Sequence, residues 1–592
     1  MKPLSPFANS GRVPTRAKAA LFRLKAAAHQ TRRAVFDVRG GLRRHQPLEE
    51  TIEYSFLWGE SRTPLWNEDR LAEQALQWGK VQNLRCATRR LHRVLVPRGQ
   101  VFSFWKQVGR ATTRRGFAEG RLLREGCVMP AVGGGLCQMS NALYDVALQA
   151  GTEIVERHAH SQVVPGSQAQ NGRDATVAWN YIDLRFRPPC DMLLQTHLTR
   201  DELVVQLFAR TPQPSAPNVS PSVAAAPKTR LILDVAAHSC VSCEQTTCFR
   251  HRAPAENCRG KIAFLLDECW PEFDNYVRAQ GRAADIIVPL RADRFWGKHT
   301  GRAWNTSGFE RAFEAPQPAL LRASQARRYR TQGARRLSSQ LKNTARLSRA
   351  LSKRLSPDVT HVCVAQSLLP FLWRDEILGG RTFDVLMTRL PLGELHRRLD
   401  EQSALHPERA TLREFRAPQR IADDEKAALG AARLLISPHS EVVALAGNRV
   451  LDLGWKTPVR AQQSTHKHRI IAFPGPTAAR KGAYEVREAC RALGLEVRLL
   501  GSELEGDNFW HGLKTQRIAR AQRNGWLDGV AAVVQPALVE DQPRLLLEAW
   551  SYGVPIIATS ACGLGNRRSV QIIPFGDVQA LQKAICTALE VS

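Results

Sequence analysis

The sequence predicts an α/β protein in which an N-terminal α+β domain is followed by two Rossmann-like domains. From Lys261 onward, short apolar runs typical of buried strands alternate with stretches of helical spacing. The clearest unit predicts a strand over 531–534, a helix over 544–552 and a strand over 554–559. A segment rich in Pro, Ser and Ala separates this part from the N-terminal region. The predicted parts are a basic arm (1–49), an N-terminal domain (50–210), the linker (211–228), a first Rossmann-like domain (229–458) and a second one (459–592).

The chain has 592 residues and a formal net charge of +29. This excess predicts acidic partners: nucleotide diphosphates, polyprenyl phosphates, anionic lipid surfaces or nucleic acid. No apolar run of about 18 residues and no apolar signal-peptide core is visible, so we expect neither a membrane span nor a signal peptide. The 13 cysteines are scattered except for one cluster, which favours a reducing compartment. We therefore expect a cytoplasmic protein, with peripheral contact at the inner membrane face as an addition.

The first 46 residues are rich in Arg and Lys, with Ala and Leu between them. We expect a partly disordered basic arm whose charges stay solvated. An amphipathic contact with an anionic membrane is the alternative.

In the N-terminal domain, a glycine-rich turn opens a helix at Cys137. Three glycines precede the cysteine, and apolar residues recur on one face until Gly151, which would cap the helix. The surrounding pattern predicts a helix over 71–94, strands or loops over 101–105 and 127–132, and a strand pair around 173–177 and 181–186.

Cys137 stands at the start of this helix, where a thiol is expected to be reactive. The helix dipole and the free N–H groups of the first turn favour a thiolate. His158 or His160, followed by Asp174, could complete a Cys-His-Asp arrangement like that of papain-type enzymes. On a strand, residues 158 and 160 would share a face, so one could be catalytic and the other supporting. A structural cysteine in a tight loop and a ligand pocket without catalysis are the alternatives.

Three consecutive motifs of this domain resemble the VanW family: GGGLCQMSNALYDVALQAG, then ERHAHS, then GRDATVAWNYIDLRF. The resemblance implies a VanW-like domain and a context of glycopeptide-resistance clusters and envelope proteins. Because the chemistry of that family is not settled, the resemblance implies no particular reaction.

Four cysteines follow the linker in the pattern C-x2-C-x4-C-x9-C. A C-x2-C step lets two thiolates hold one ion, and two later cysteines would complete a tetrahedral set. We expect a structural zinc, with an iron–sulfur cluster as a second option and four free thiols as the alternative. The four residues are Cys240, Cys243, Cys248 and Cys258.

The first Rossmann-like domain contains a long basic segment. Residues 320–355 hold many Arg and Lys, no acidic residue, and leucines near helical spacing. One helix with an apolar stripe and a cationic face is predicted. We expect the stripe to pack on the sheet; a membrane-surface site for a lipid-linked acceptor is the alternative. Three polar residues near predicted strand ends are candidates for the acceptor side: His361, Gln366 and His439.

In the second Rossmann-like domain, two acidic residues are spaced to approach one crevice. Glu540 lies on the loop after the strand 531–534, and Glu548 lies on the helix that follows. Open α/β sheets bind ligands outside the carboxyl ends of their strands, so these carboxylates can accept hydroxyls of a sugar or ribose there. The turn at Gly563 and Leu564 can present backbone N–H groups to a diphosphate.

The Glu540–Glu548 pair and the run LLEAWSYGVPIIAT resemble the donor-binding half of retaining GT-B glycosyltransferases, specifically glycosyltransferase family four. The resemblance implies that Glu548 holds the nucleotide ribose and that Glu540 approaches the donor sugar. It also implies a diphosphate-binding lysine upstream, and Arg480, Lys481 and Gly482 supply that segment.

Two segments depart from the family pattern. Pro474, Gly475 and Pro476 stand where the family usually has Gly-Arg, and the Gly-Phe-Gly that usually follows the first Glu is 541–543, Asp-Gln-Pro. The resemblance therefore supports the fold and the donor class better than a specific sugar.

We predict a retaining, metal-independent transfer of a sugar from a nucleotide diphosphate sugar to an envelope-type or polysaccharide acceptor. Glu540 and Lys481 would act in catalysis, with no cofactor for the transfer step. The alternative is a hydrolase, acyltransferase or ligand-binding module centred on Cys137, with the C-terminal half as a binding domain. Nucleic-acid binding ranks last, because the cysteine spacing is not that of C2H2 fingers and few aromatic residues lie between the basic ones.

Overall fold

The computed structural model divides into two compact units. The first comprises Met1–Lys261 with Ser356–Thr360 and Arg374–Arg381, and the second comprises the remaining segments from Ile262 to Ser592. No helix in the described part of the chain is long and apolar enough to cross a membrane. The structure describes residues 16–49, 53–66, 73–124, 127–160, 162–163, 172–214, 231–232, 260–293, 303–329, 333–458, 467–506, 508–518 and 525–590.

The first unit mixes helices with short strands. Its helices are α1 (Arg16–Arg39), α2 (Gln74–Leu91), α3 (Phe104–Val108) and α4 (Cys137–Gln149). Its strands are β1 (Phe56–Pro64), β2 (Val94–Val96), β3 (Phe102–Ser103), β4 (Glu119–Arg124), β5 (Cys127–Val132), β6 (Glu153–Glu156), β7 (Gln162–Val163), β8 (Arg185–Arg187), β9 (Met192–Leu198), β10 (Glu202–Ala209) and β11 (Leu231–Ile232).

The main sheet of the first unit is antiparallel and has the order β1-β10-β9-β2. Helices α2 and α4 pack on it. Their apolar faces, with Leu84 and Leu143, meet strand residues such as Leu194 and Leu207 in one buried cluster. Smaller antiparallel groups, β3-β8-β6 and β4-β5, complete the α+β domain that the sequence predicts.

The expectation of a partly disordered arm is wrong for the described part of that segment, because α1 is a 24-residue helix bound to the domain. Asp37 forms an ion pair of 2.8 Å with Arg185, and Arg33 pairs with Glu156. Asn180 donates its side-chain amide to a carbonyl of α1 at 2.9 Å. The partners of α1, Arg185, Glu156 and Asn180, come from distant sequence, so composition alone does not reveal them.

The predicted strand pair around 173–177 and 181–186 is also corrected. Residues 173–184 contain one isolated bridge, between Ala178 and Ile182, and β8 begins only at Arg185. Strand β6 ends at Glu156 and β7 begins at Gln162, so residues 158 and 160 are not on a strand. They run beside this irregular segment, as shown by the Thr176 N–H donating to the His158 carbonyl at 2.7 Å.

The second unit alternates strands and helices. Its strands are β12 (Lys261–Leu265), β13 (Ala284–Val288), β14 (Arg311–Glu314), β15 (Val359–Ala365), β16 (Thr382–Leu386), β17 (Leu434–Ser437), β18 (Val450–Asp452), β19 (Lys467–Phe473), β20 (Glu496–Leu499), β21 (Thr515–Arg517), β22 (Gly529–Gln535), β23 (Ile556–Ala558) and β24 (Val570–Ile572). Its helices are α5 (Pro271–Gln280), α6 (Pro316–Arg328), α7 (Gly333–Ser352), α8 (Leu369–Arg374), α9 (Leu392–Leu405), α10 (Gln419–Ala431), α11 (Ser440–Ala446), α12 (Ala483–Leu493), α13 (Arg544–Ser551) and α14 (Val578–Glu590).

Two sheets organise this unit, and both have the strand order of a Rossmann-like domain. The first runs β14-β13-β12-β15-β16-β17-β18 and the second runs β21-β20-β19-β22-β23-β24. Every pair in the second sheet is parallel. All seven residues of β22 are buried, as expected for a central parallel strand covered on both faces. The strand order reverses between β12 and β15 in one sheet and between β19 and β22 in the other, which is where such sheets form a ligand crevice.

The basic segment forms two helices, α6 and α7, where one was predicted. Gly333, a poor helix former, stands at the beginning of the second. Leu347 and Leu351 are fully buried, while Lys342 and Arg346 are exposed. The apolar stripe of α7 therefore packs inward and its charges face solvent.

Candidate functional site

The carboxyl ends of β19 and β22 bring Lys481 and Glu540 into contact. Lys481 Nζ lies 3.0 Å from Glu540 Oε2 and 2.8 Å from the Val539 carbonyl oxygen. Gln535, the last residue of β22, donates its side-chain amide to the same carboxylate, and the Gln542 N–H donates to Oε1 at 3.0 Å. The two charges thus stand at the point where the strand order reverses, in the crevice position that the sequence predicts.

This pair is largely shielded from solvent. The exposed fractions of the Lys481 and Glu540 side chains are 12% and 13%. Burial raises the pKa of Glu540, but the Lys481 charge and the hydrogen bonds from Gln542, Lys481 and Gln535 together bring it below its usual value. Glu540 is therefore held as a carboxylate beside a cation. Gln535 was not singled out from the sequence, although a polar residue ending an apolar strand is a usable signal.

Glycine is required at position 482 for two reasons. Gly482 has φ of +80°, and a Cβ atom there would lie 2.2 Å from the Pro536 carbonyl oxygen. The Leu538 N–H also donates to the Arg480 carbonyl at 2.9 Å, so the two loops are joined directly. This close approach is what carries Lys481 to Glu540.

Arg480 lies beside the pair but is oriented differently. Its guanidinium stacks over the Phe415 ring, 3.9 Å from the ring centroid. Among the residues that the structure describes, its buried Nη1 has no hydrogen-bond partner. Burial lowers the pKa of this guanidinium. A buried, unsatisfied cationic donor next to Lys481 suits an anionic ligand.

His439 contacts the same loop from the first sheet. Its Nε2 donates to the Glu540 carbonyl oxygen at 2.8 Å, and its buried Nδ1 has no partner within the described part of the chain. The Gly563 turn packs against this ring, since a Cβ at Gly563 would lie 2.1 Å from it. The Gly563 N–H donates to the Ser560 carbonyl oxygen at 2.8 Å, and the Gly565 N–H donates to Ser440 Oγ at 3.0 Å. These two amides are thus used within the protein; Leu564 between them is buried.

Glu548 takes a different partner from Glu540. It lies on α13, and its Oε1 accepts a hydrogen bond of 3.0 Å from the Trp526 indole. The carboxylate is half-buried. Trp526, which was not singled out from the sequence, therefore orients the second glutamate.

The other two acceptor-side candidates have structural partners. Gln366 is fully buried, and its Oε1 accepts the backbone N–H groups of Thr388 and Arg389 at 3.0 and 3.1 Å. His361 lies in the first half of β15 and bonds to Thr382 and Asp384, away from the carboxyl end of the strand.

A cluster that the sequence did not suggest stands at the carboxyl ends of β12 and β15. Asp267 Oδ2 accepts hydrogen bonds from Ser367 Oγ at 2.6 Å and Arg322 Nη1 at 2.8 Å. The Asp267 side chain is 3% exposed. A polar residue two positions after the first strand of a Rossmann-like sheet is the signal that could have identified it.

The first unit brings Cys137, His160 and Asp174 together. Asp174 is fully buried; its Oδ1 is 2.5 Å from His160 Nδ1, and its Oδ2 accepts the His160 backbone N–H at 2.8 Å. The Cys137 thiol interacts with Thr176 Oγ1 at 3.7 Å, and His160 is close enough to lower the pKa of this thiol. His158 is outside this group and pairs with Glu156 at 3.2 Å. The structure thus decides between the two histidines.

The contacts shift both pKa values in the direction of an ion pair. Burial opposes ionisation of the thiol, but the hydrogen bond and charge of His160 lower the pKa of Cys137. Burial likewise lowers the pKa of His160, but Asp174 and Cys137 outweigh it and raise that pKa to about 10. Both shifts favour a thiolate beside an imidazolium over the neutral pair.

The predicted metal ligands Cys240, Cys243, Cys248 and Cys258 lie outside the described residues, so that site stays a prediction. Within the described ranges, no group of three or more His, Cys, Asp or Glu side chains is arranged to hold a metal ion.

Comparisons with known proteins match separate parts of the chain. Residues 79–208 match the family model described as VanW like protein. These residues form a VanW-like domain. The resemblance read from the motifs around Cys137 is confirmed over this range, and Cys137, His160 and Asp174 all belong to the domain.

Two curated relatives are similar over 168 residues each. The chain is 34% identical to vancomycin B-type resistance protein VanW of Enterococcus faecalis, covering 27% of this chain and 60% of that protein. It is 29% identical to lipopolysaccharide core biosynthesis glycosyltransferase LpsE of Rhizobium meliloti, covering 23% of this chain and 49% of that protein. The chain thus spans less than two thirds of the length of either relative.

Among solved structures, Anabaena Alr3699/HepE in complex with UDP is similar to this chain with 15% identity and a TM-score of 0.34. The match covers 56% of this chain and 90% of that one.

Proposed function

We propose that the second unit is a retaining glycosyltransferase that takes its sugar from a nucleotide diphosphate sugar. The observation that carries the proposal is the 3.0 Å contact between Lys481 and Glu540 at the reversal point of the second sheet. That position is where doubly wound sheets bind nucleotides. The similarity to LpsE, named as a lipopolysaccharide core biosynthesis glycosyltransferase, supports the same reaction class and an envelope glycan as the acceptor.

Charge develops on the diphosphate as it leaves the sugar, so the protein must supply cations there. Lys481 and Arg480 are the cations at this crevice. Lys481 is paired with Glu540, whereas Arg480 has a buried N–H group without a partner among the described residues. A diphosphate would accept from both groups. Two cations in a shielded site make a metal ion unnecessary for the transfer.

The two glutamates would contact different parts of the nucleotide sugar. Glu548, oriented by Trp526, would accept the ribose hydroxyls. Glu540, held as a carboxylate, would lie beside the donor sugar near its anomeric carbon. On the acceptor side, Asp267 is the group we assign to an acceptor hydroxyl, since it stands at the reversal point of the first sheet.

The test uses Lys481→Ala and Glu548→Ala in the full chain. A charge-assisted hydrogen bond contributes about 1.5–3 kcal/mol, so each variant should bind its nucleotide about 10- to 150-fold more weakly. Thermal-shift screening against UDP-, GDP- and ADP-sugars identifies the nucleotide, and calorimetry then measures Kd. Lys583→Ala, which changes an exposed lysine of α14, is the matched control. Unchanged nucleotide affinity in both site variants would remove the assignment.

A further inference from the structure

We propose that Cys137, His160 and Asp174 of the VanW-like domain form a second active site, which transfers acyl groups through a thioester on Cys137. The substrate class is an amide or ester carbonyl. This inference is independent of the proposed sugar transfer, because it concerns residues of the first unit alone.

The three residues have the order of contacts that an activated nucleophile needs. Asp174 orients the base, His160, through the contact with Nδ1. The nucleophile is joined to the base through Thr176, whose Oγ1 lies 3.7 Å from the Cys137 sulfur and whose N–H donates to the His158 carbonyl at 2.7 Å. Because Nδ1 faces Asp174, Nε2 is the ring nitrogen left for the sulfur. Asp174 also accepts the His160 backbone N–H at 2.8 Å, so one buried carboxylate fixes both the ring and the main chain of the base.

The first turn of α4 holds the segment that carries Asp174. Ser140 Oγ donates to the Ala175 carbonyl at 2.5 Å, and the Ala175 N–H donates to Asn141 Oδ1 at 2.8 Å. Cys137 begins the same 13-residue helix, so the helix dipole also favours its thiolate. The helix that carries the nucleophile and the segment that carries Asp174 are therefore joined by two hydrogen bonds from neighbouring residues.

Exposure separates this cysteine from a structural one. The His160 side chain is 28% exposed and Cys137 is half-buried, whereas Asp174 is fully buried. Cys137 and His160 are thus accessible to solvent, whereas the carboxylate that orients His160 is buried. Cys86 in the same domain shows the structural arrangement: it is 3% exposed, and its thiol bonds to a backbone carbonyl.

Acyl transfer through Cys137 needs only these side chains and the two substrates. The Cys137 thiolate attacks the carbonyl carbon and forms a C–S bond; the C–N or C–O bond breaks as the His160 imidazolium gives its proton to the leaving nitrogen or oxygen. Water or an acceptor amine then attacks the thioester, His160 removes its proton, and the C–S bond breaks to restore the thiolate. No oxidant, metal or other cofactor is consumed.

The probes are p-nitrophenyl acetate, which reports acylation by release of p-nitrophenol, and iodoacetamide, which reports the thiolate. In the full chain we expect the acetyl group on the Cys137 peptide by mass spectrometry and none in Cys137→Ser. His160→Asn should slow acetylation by at least about 100-fold. His158→Ala is the matched control and should react like the unchanged protein, since His158 contacts Glu156 instead.

The pH profile distinguishes an active site from a structural cluster. Cys137, whose pKa is lowered, should react with iodoacetamide at a lower pH than Cys190, whose pKa is raised by burial and by Asp191. Asp174→Asn should move the Cys137 profile to higher pH without altering that of Cys190. The proposal is overturned if Cys137 reacts no faster than Cys190 at pH 6, or if His160→Asn is acetylated at the unchanged rate.

Discussion

The two candidate sites both hold an acidic group against a cationic one, but they do so in opposite ways. In the VanW-like domain the carboxylate of Asp174 is fully buried and contacts His160, which is 28% exposed. At the reversal point of the second sheet, Glu540 and Lys481 are exposed to the same degree, 13% and 12%. The first arrangement directs charge onto a sulfur atom, as a nucleophile needs. The second keeps a carboxylate and a cation side by side, as a ligand with both hydroxyls and phosphates needs.

Separate loss of the two activities is the strongest test of this contrast. Cys137→Ala should abolish acetyl transfer, an effect on the order of 10⁴-fold or more, because no other group replaces the nucleophile. The same variant should keep its nucleotide affinity. Lys481→Ala should show the reverse pattern in the two assays. If either substitution removed both activities, the sites would not be independent.

Glycines with positive φ in the two units should differ in tolerance. A Cβ at Gly482 would lie 2.2 Å from a backbone oxygen, whereas a Cβ at Gly151, just after α4, would have no atom within 4 Å. Both positions have positive φ. We expect Gly482→Ala to lower the free energy of unfolding by about 3 kcal/mol and Gly151→Ala by about 1 kcal/mol.

Denaturant unfolding of the two alanine variants measures this difference. Gly494→Ala, at φ +62° with nothing within 4 Å of the added Cβ, separates the cost of the backbone conformation from that of the contact. Equal losses at positions 482 and 494 would show that the approach to Pro536 is not a constraint.

The charge pair of the second site should lose its stabilising effect in acid. The pKa of folded Glu540 lies below the usual 4.5, so the pair stabilises the fold above that pH and the effect disappears as pH falls through the folded pKa. At pH 7 we expect Glu540→Gln to be less stable than the unchanged protein by about 2 kcal/mol, and the difference should close as pH falls through the folded pKa of Glu540. Unfolding curves at several pH values check this, with Glu590→Gln on the exposed end of α14 as control.

The smallest expected effect is on nucleotide affinity and concerns Trp526, which donates a hydrogen bond to Glu548. Trp526→Phe removes the indole N–H that donates to this carboxylate, a loss of about 1 kcal/mol or about fivefold in nucleotide affinity. Trp550→Phe on α13 removes an indole hydrogen bond to the Arg568 carbonyl and leaves Glu548 untouched, so its affinity should not change. Equal affinities of the two variants would argue against an orienting role for Trp526.

Local pattern predicted much of the second unit. Strands β22 and β23 and helix α13 lie within a few residues of their predicted positions, because apolar periodicity and terminating glycines are short-range signals. The irregular stretch between β6 and β8 was predicted as strands, because its alternating residues have strand propensity. There, contacts with α4 and α1 outweigh that propensity.

The sequence by itself determined the identity of the chemical groups: the cysteine that opens a helix, the two glutamates after a buried strand, and the lysine upstream of them. Only the tertiary structure decided which groups meet. His160, and not His158, reaches Asp174 across 14 residues, and His439 reaches Glu540 across 101. The physical reason is that helix and strand periodicity depend on neighbours in the chain, whereas these contacts depend on how separate segments pack.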